Sequence, residues 1–145
     1  MIKIQPYYRK INYYETDKMQ VVHHSNYIRY LEECRMDFME KVGLDYNLME
    51  KNGIMIPVLS VSCNYKNPAR FGEEICIIPK LESFHGVKFA MSYKIYSIDF
   101  QVLHNEAVSE HCFVDMDFKP VRLKKEFPDI YEIMMSLVGL NLVEI

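Results

Sequence analysis

Tryptophan is absent from the 145 residues, and only five glycines and four cysteines occur. No Gly/Ser run, low-complexity tract or internal repeat interrupts the chain, so nothing reads as a linker and residues 1–145 are expected to form a single domain. No stretch approaches the ~18 consecutive apolar residues of a spanning helix. The opening MIKIQPYYRK has neither a continuous apolar core nor a small-residue cleavage site, so no signal peptide and no membrane span are expected. Cys34, Cys63, Cys76 and Cys112 make no CxxC pair and fall at apolar-patterned positions. Buried free thiols in a reducing compartment fit them better than disulfides or zinc, which points to the cytoplasm. Positive charge is short as well, with 17 Lys and Arg against 20 Asp and Glu, a formal net charge of −3, and no basic stripe. That disfavours nucleic acid as a partner and leaves small phosphorylated ligands open.

What is present is a large apolar content, 50% of the residues, rich in Tyr (11) and Met (10). YYRKINYY (7–14) is β-prone and reads as a first strand. A helix should start at Ser25 or Asn26, either of which caps a first turn, with Tyr27, Leu31, Cys34, Phe38 and Val42 forming its apolar stripe and Gly43 its stop. A short second helix is expected in DYNLMEKNG. Beyond Gly53 the period falls to two. Leu59, Val61, Cys63 and Tyr65 predict one buried face, and Val87, Phe89, Met91, Tyr93 and Ile95 predict another. ICIIPKL lies between them. Val108, Cys112, Val114, Met116 and Phe118 predict the inner face of a last strand, with Glu110 breaking the series. FPDIYEIMMSLVGL reads as a closing helix. A strand, a long helix and four further strands without βαβ alternation predict an antiparallel α+β layer structure, a long central helix wrapped by a curved sheet.

Ionisable residues crowd one junction, YYETDKMQVVHHSNYIRYLEECR (13–35). Asp17 ends the first strand and His24 precedes the helix. A carboxylate near a helix N-terminus is favoured in its ionised form, suited to act as a nucleophile or as a base toward water. The unpaired N–H groups of the first turn suit an oxyanion, and His24 has the donor and acceptor range to join them. Tyr13 shares the face of Asp17 if alternation runs unbroken. The plainer alternative is a turn-capping Asp17, routine imidazoles at His23 and His24, and packed strand tyrosines. Adjacent histidines point apart in extended chain and no third lies at ligand spacing, so no metal is expected.

The same stretch resembles the signature of hot-dog-fold acyl-CoA thioesterases of the 4-hydroxybenzoyl-CoA thioesterase type, especially their Tol–Pal-associated short-chain branch. Tyr13, Thr16–Asp17, Val21–Val22, His24, Asn26–Tyr27, Glu33 and Arg35 carry the likeness, and NPARFGEE (67–74) is similar to a later turn of that family. The resemblance implies one hot-dog domain and hydrolysis of an acyl-CoA or acyl-carrier thioester, with no cofactor. It assigns Asp17 as the catalytic carboxylate, with His24 and Tyr13 beside it and the backbone N–H groups around His23–His24 holding the oxyanion. It also implies a homodimer or homotetramer, consistent with an edge strand that needs a partner. Lys66 and Arg70 are candidates for the CoA phosphates. The departure is Gln20, where the family usually has Gly; there a side chain must accept an unusual φ or the loop path shifts. An acyl-thioester hydratase or dehydratase and a non-catalytic acyl-binding module are the competing readings of the same fold.

Overall fold

The apolar stripe between Tyr27 and Val42 folds as helix α1 (His24–Lys41), in a computed structural model that describes residues 2–145. Tyr27, Leu31, Cys34, Phe38 and Val42 are all buried, as the spacing requires, and Tyr30 and Met39 join them. Gly43 follows with φ +87, a left-handed stop that glycine adopts without strain. Asp45 caps α2 (Tyr46–Lys51) by accepting the Leu48 N–H at 2.9 Å.

Five strands form one antiparallel sheet in the order β1-β3-β4-β5-β2. They are β1 (Tyr7–Lys10), β2 (Val58–Tyr65), β3 (Glu74–Phe84), β4 (Lys88–Ser97) and β5 (Leu103–Cys112). Because β2 pairs with β5 and β3 with β1, residues 66–73 carry the chain across the sheet rather than around a hairpin. Helix α1 packs against β1, β2 and β3, and the register shifts by one residue at Leu59 in β2, Glu82 in β3 and His104 in β5, where bulges add local twist and bend. This is the hot-dog arrangement. The tail divides into α3 (Leu123–Glu126) and α4 (Pro128–Leu137), with Pro128 at the first position of α4, as expected.

Two expected faces differ. On β4, Phe89, Met91, Tyr93 and Ile95 are buried as read, and their direct partners on β5 are His111, Ser109, Ala107 and Asn105. Paired residues share a face, so the inner face of β5 is this mostly polar set. Val108, Met116 and Phe118 are exposed, and Val114 is buried only beyond the strand, where it bridges Met55 and Pro120. On β2, an edge strand, Val61 and Cys63 are half-buried while Leu59 and Tyr65 are exposed. A strand covered on one side alone leaves that much of its apolar set uncovered in a single chain.

Candidate active site

The junction between β1 and α1 is held by charge. Arg9 sends Nη1 and Nη2 to the two carboxylate oxygens of Glu15 at 2.7 and 2.6 Å, and Nε to Glu33 of α1 at 2.9 Å. Its guanidinium lies over the Tyr30 ring, 4.8 Å from the centroid, and the Tyr7 hydroxyl donates to Glu33 at 2.9 Å. Burial works to raise the pKa of Glu15. Arg9 and the Asn12 N–H prevail and hold it below the usual range of a glutamate. The Glu15 carbonyl then accepts the His23 N–H at 2.9 Å and Asn26 Nδ2 at 2.7 Å. One buried acid thus fixes a strand, a turn and the start of α1.

Two residues later the chain makes a tight hairpin. The Asp17 N–H donates to the Val21 carbonyl and the Gln20 N–H to the Asp17 carbonyl, both at 2.9 Å, while Thr16 and Val22 bridge. Asp17 Oδ1 accepts the Met19 N–H at 2.8 Å, so the turn-capping role common for loop aspartates is realised with one oxygen. Gln20 has φ +65. A side chain occupies the left-handed position suited to glycine, and the loop path is compatible with it.

The hairpin docks on the segment NPARFGEE. Val22 donates to the Ala69 carbonyl at 2.9 Å, Val21 bridges Arg70, and the Tyr13 ring meets Phe71 edge-on at 5.6 Å. Two motifs separated by some fifty positions in the sequence therefore share one surface. Tyr13 is 75% exposed, and the 3-10 turn Tyr13–Glu15 breaks its alternation with Asp17, so the condition for a shared face is not met. No hydrogen bond joins Tyr13, Asp17 and His24 among the described residues.

The cap of α1 is His23 rather than Ser25 or Asn26: its Nδ1 accepts the Ser25 N–H at 3.3 Å, and the Asn26 side chain is already spent on Glu15. The two histidines do not point apart. Their rings stack with centroids 4.2 Å apart, because the backbone turns from extended at His23 to helical at His24. The Tyr65 hydroxyl donates to the His24 carbonyl at 3.4 Å. With the His23 N–H committed to Glu15, the His24 N–H is the one of the pair left unpaired among the described residues.

Tyr13 and His24 are exposed and Asp17 is half-buried, and none of the five principal cavities of the single chain is lined by them. The largest, about 790 Å³, runs along an acidic face of α1 with Glu32, Glu33, Asp37, Glu40 and Asp45. Such a wall repels polyphosphates. Arg70, by contrast, is exposed where its backbone bridges Val21 of the hairpin, and Lys66 is exposed four residues before it.

Sequence reasoning missed the Arg9–Glu15 pair and a second polar group inside the sheet. Tyr93 and Ser109 share a hydrogen bond of 2.8 Å, Ser109 meets His111 Nε2 at 2.7 Å, and Arg35 Nη1 approaches the same nitrogen at 3.4 Å. Burial and then Arg35 push the His111 pKa down to about 4, so the ring is neutral at pH 7. The signal was the alternating set Asn105, Ala107, Ser109 and His111, polar at three of its four positions.

The sequence profile of the thioesterase-like superfamily matches residues 11–132. The candidate acyl-CoA thioesterase YneP of Bacillus subtilis (strain 168) is 36% identical over 83% of this chain and 87% of its own. A solved DHNA-CoA thioesterase from Staphylococcus aureus superposes with a TM-score of 0.86 at 32% identity, covering 91% of this chain and 89% of that one. The long-chain acyl-CoA thioesterase FadM of Escherichia coli (strain K12) is 25% identical over 88% of this chain and 96% of its own.

Proposed function

This chain belongs to the thioesterase-like superfamily and hydrolyses the thioester bond of acyl-CoA, and we propose that it does so where the Asp17 hairpin meets the start of α1. The observation that carries the assignment is the docking of NPARFGEE on that hairpin. It seats Arg70 against Val21 and Phe71 against Tyr13, on the hairpin that carries Asp17 and leads into the start of α1 at His24. Asp17 acts on the thioester carbonyl, as nucleophile or through a water, while the His24 N–H faces the developing oxyanion and its ring binds the substrate or a water. Tyr13 closes the rim with Phe71 instead of orienting the carboxylate. Arg70 and Lys66 receive the phosphates of CoA, and the same reading extends to pantetheine on a carrier protein.

Residues 1–145 act as one hot-dog domain in the cytoplasm, where the four free thiols stay reduced. Two or four copies assemble, because β2 is an edge strand with apolar side chains exposed. The motif from Tyr13 to Arg35 favours the Tol–Pal-associated short-chain branch, while the Staphylococcus relative brings aryl-CoA into the same range of substrates.

The test offers purified protein acyl-CoAs of graded length and an aryl-CoA, beside Asp17→Asn. We expect release of free CoA that falls at least ~100-fold in the variant, the scale of lost acid–base catalysis. Interconversion of enoyl and hydroxyacyl thioesters without CoA release would establish a hydratase instead. Saturable binding without turnover would establish a binding module. One turnover in ¹⁸O-water tests the nucleophilic role of Asp17: label in its carboxylate requires an acyl-aspartyl anhydride opened by water at Cγ.

A further inference from the structure

A second cavity, about 420 Å³, opens between α1, α2 and the segment leading into β2, a size typical of small-molecule sites. Five methionines line it (Met36, Met39, Met49, Met55 and Met116), a lining that adapts its shape to an apolar guest. In its wall is Arg35, a cation only 9% exposed. Among the described residues no carboxylate lies within 4 Å of its guanidinium. Glu32 and Glu50 also line the cavity, but both are exposed. Arg35 meets His111 Nε2 at 3.4 Å and lies beside the Tyr93 hydroxyl, and both of these groups are neutral. A buried, unneutralised guanidinium with several N–H donors unspent is costly unless an anion meets it.

We propose that this cavity binds an apolar monocarboxylate, with the carboxylate on Arg35 and the hydrocarbon among the methionines. Arg35 follows His24 by eleven residues, about 16 Å along the helix axis, so the site stands apart from the Asp17 hairpin of the same chain and needs no role for Asp17. The Tyr93–Ser109–His111 series holds the guanidinium in place from the sheet side without supplying charge. Free acids of the kind released by thioester hydrolysis belong to this ligand class.

Titration calorimetry with octanoate and 1-octanol tests it on the whole chain at pH 7. Octanoate should bind at least ~10-fold tighter than the alcohol, as a charge-assisted hydrogen bond implies. Arg35→Met should bring the ratio to about one without abolishing alcohol binding. Met116→Trp gives the chain its first tryptophan, at the cavity mouth, and its emission should shift as octanoate binds. Equal affinity for the two probes in the wild type overturns the proposal, as does a silent tryptophan while calorimetry detects binding. Absence of binding by either probe also overturns it, and leaves Arg35 to an acidic residue of a second copy.

Discussion

Replacing Gln20 with glycine should stabilise the protein, and the size of the gain follows from one dihedral angle. At φ +65 the Cβ of an L-residue crowds its own carbonyl, which costs about 1–2 kcal/mol. Glycine escapes that cost but gains freedom in the unfolded chain, which returns about 0.5–1 kcal/mol. The balance favours glycine by about 0.5–1 kcal/mol. For a chain near 150 residues that is a rise in Tm of about 1–4 °C. Calorimetric melting of wild type, Gln20→Gly and Gln20→Ala decides the matter. Alanine keeps a Cβ and should melt no higher than the wild type. Hydrolysis of acyl-CoA should be unchanged in Gln20→Gly, since the backbone already follows a path suited to glycine. A glycine variant that melts no higher than the wild type refutes the reasoning. So does an alanine variant that rises as far as glycine, which would place the gain in the lost side chain and not in the dihedral.

Three further outcomes follow from the core and the sheet. Phe38→Ala removes a buried ring from the stripe of α1 and should cost about 3–5 kcal/mol in urea denaturation. His111, at about 4 in the folded chain against an ordinary 6.5, takes up its proton in the unfolded chain first. Stability is therefore highest above pH 6.5 and falls by about 3 kcal/mol as pH drops to 4, at about 1.36 kcal/mol per unit. His111→Leu should be less stable at pH 7 yet show a flatter dependence on pH across that window. Leu59→Lys changes an exposed residue of the β2 edge, so it should leave the folded chain intact while sedimentation shows a smaller species if copies pair through that strand.

How much of this could be read beforehand depended on whether one residue class owned one face. Helix α1 was legible because Tyr27, Leu31, Cys34, Phe38 and Val42 are apolar and the residues between them are mostly charged. Arg35 lies among those charged residues, and nothing in its spacing tells a solvated guanidinium from a buried one. On β5 the apolar residues lie on the wrong side. Val108 faces out while Asn105, Ser109 and His111 face in, because pairing with Ile95, Met91 and Phe89 fixed the register. Local pattern loses to cross-strand packing in such a case. The junction was legible in its residue types and not in its path. The 3-10 turn at Tyr13–Glu15 turns on the buried Arg9–Glu15 pair, a tertiary contact that sequence spacing does not announce.

That pair also separates two acids that activity loss alone would confuse. Glu15 is buried, accepts both arms of Arg9, and anchors the start of α1 through its carbonyl. Asp17, two residues on, is partly exposed and holds one backbone N–H. Glu15→Gln leaves Arg9 with one charged partner, Glu33, where it had two, so the loss should fall below the about 3–5 kcal/mol of a buried pair broken outright. Asp17→Asn keeps an oxygen able to accept the Met19 N–H, so its stability should move by less than about 1 kcal/mol. The two variants should therefore part in opposite senses: Glu15→Gln with a lowered urea midpoint, and turnover per folded molecule largely retained at low temperature; Asp17→Asn with an unchanged midpoint and CoA release nearly gone. If Asp17→Asn instead loses stability and activity together, the carboxylate at position 17 is another strut of the hairpin, and the chemistry belongs to a different group.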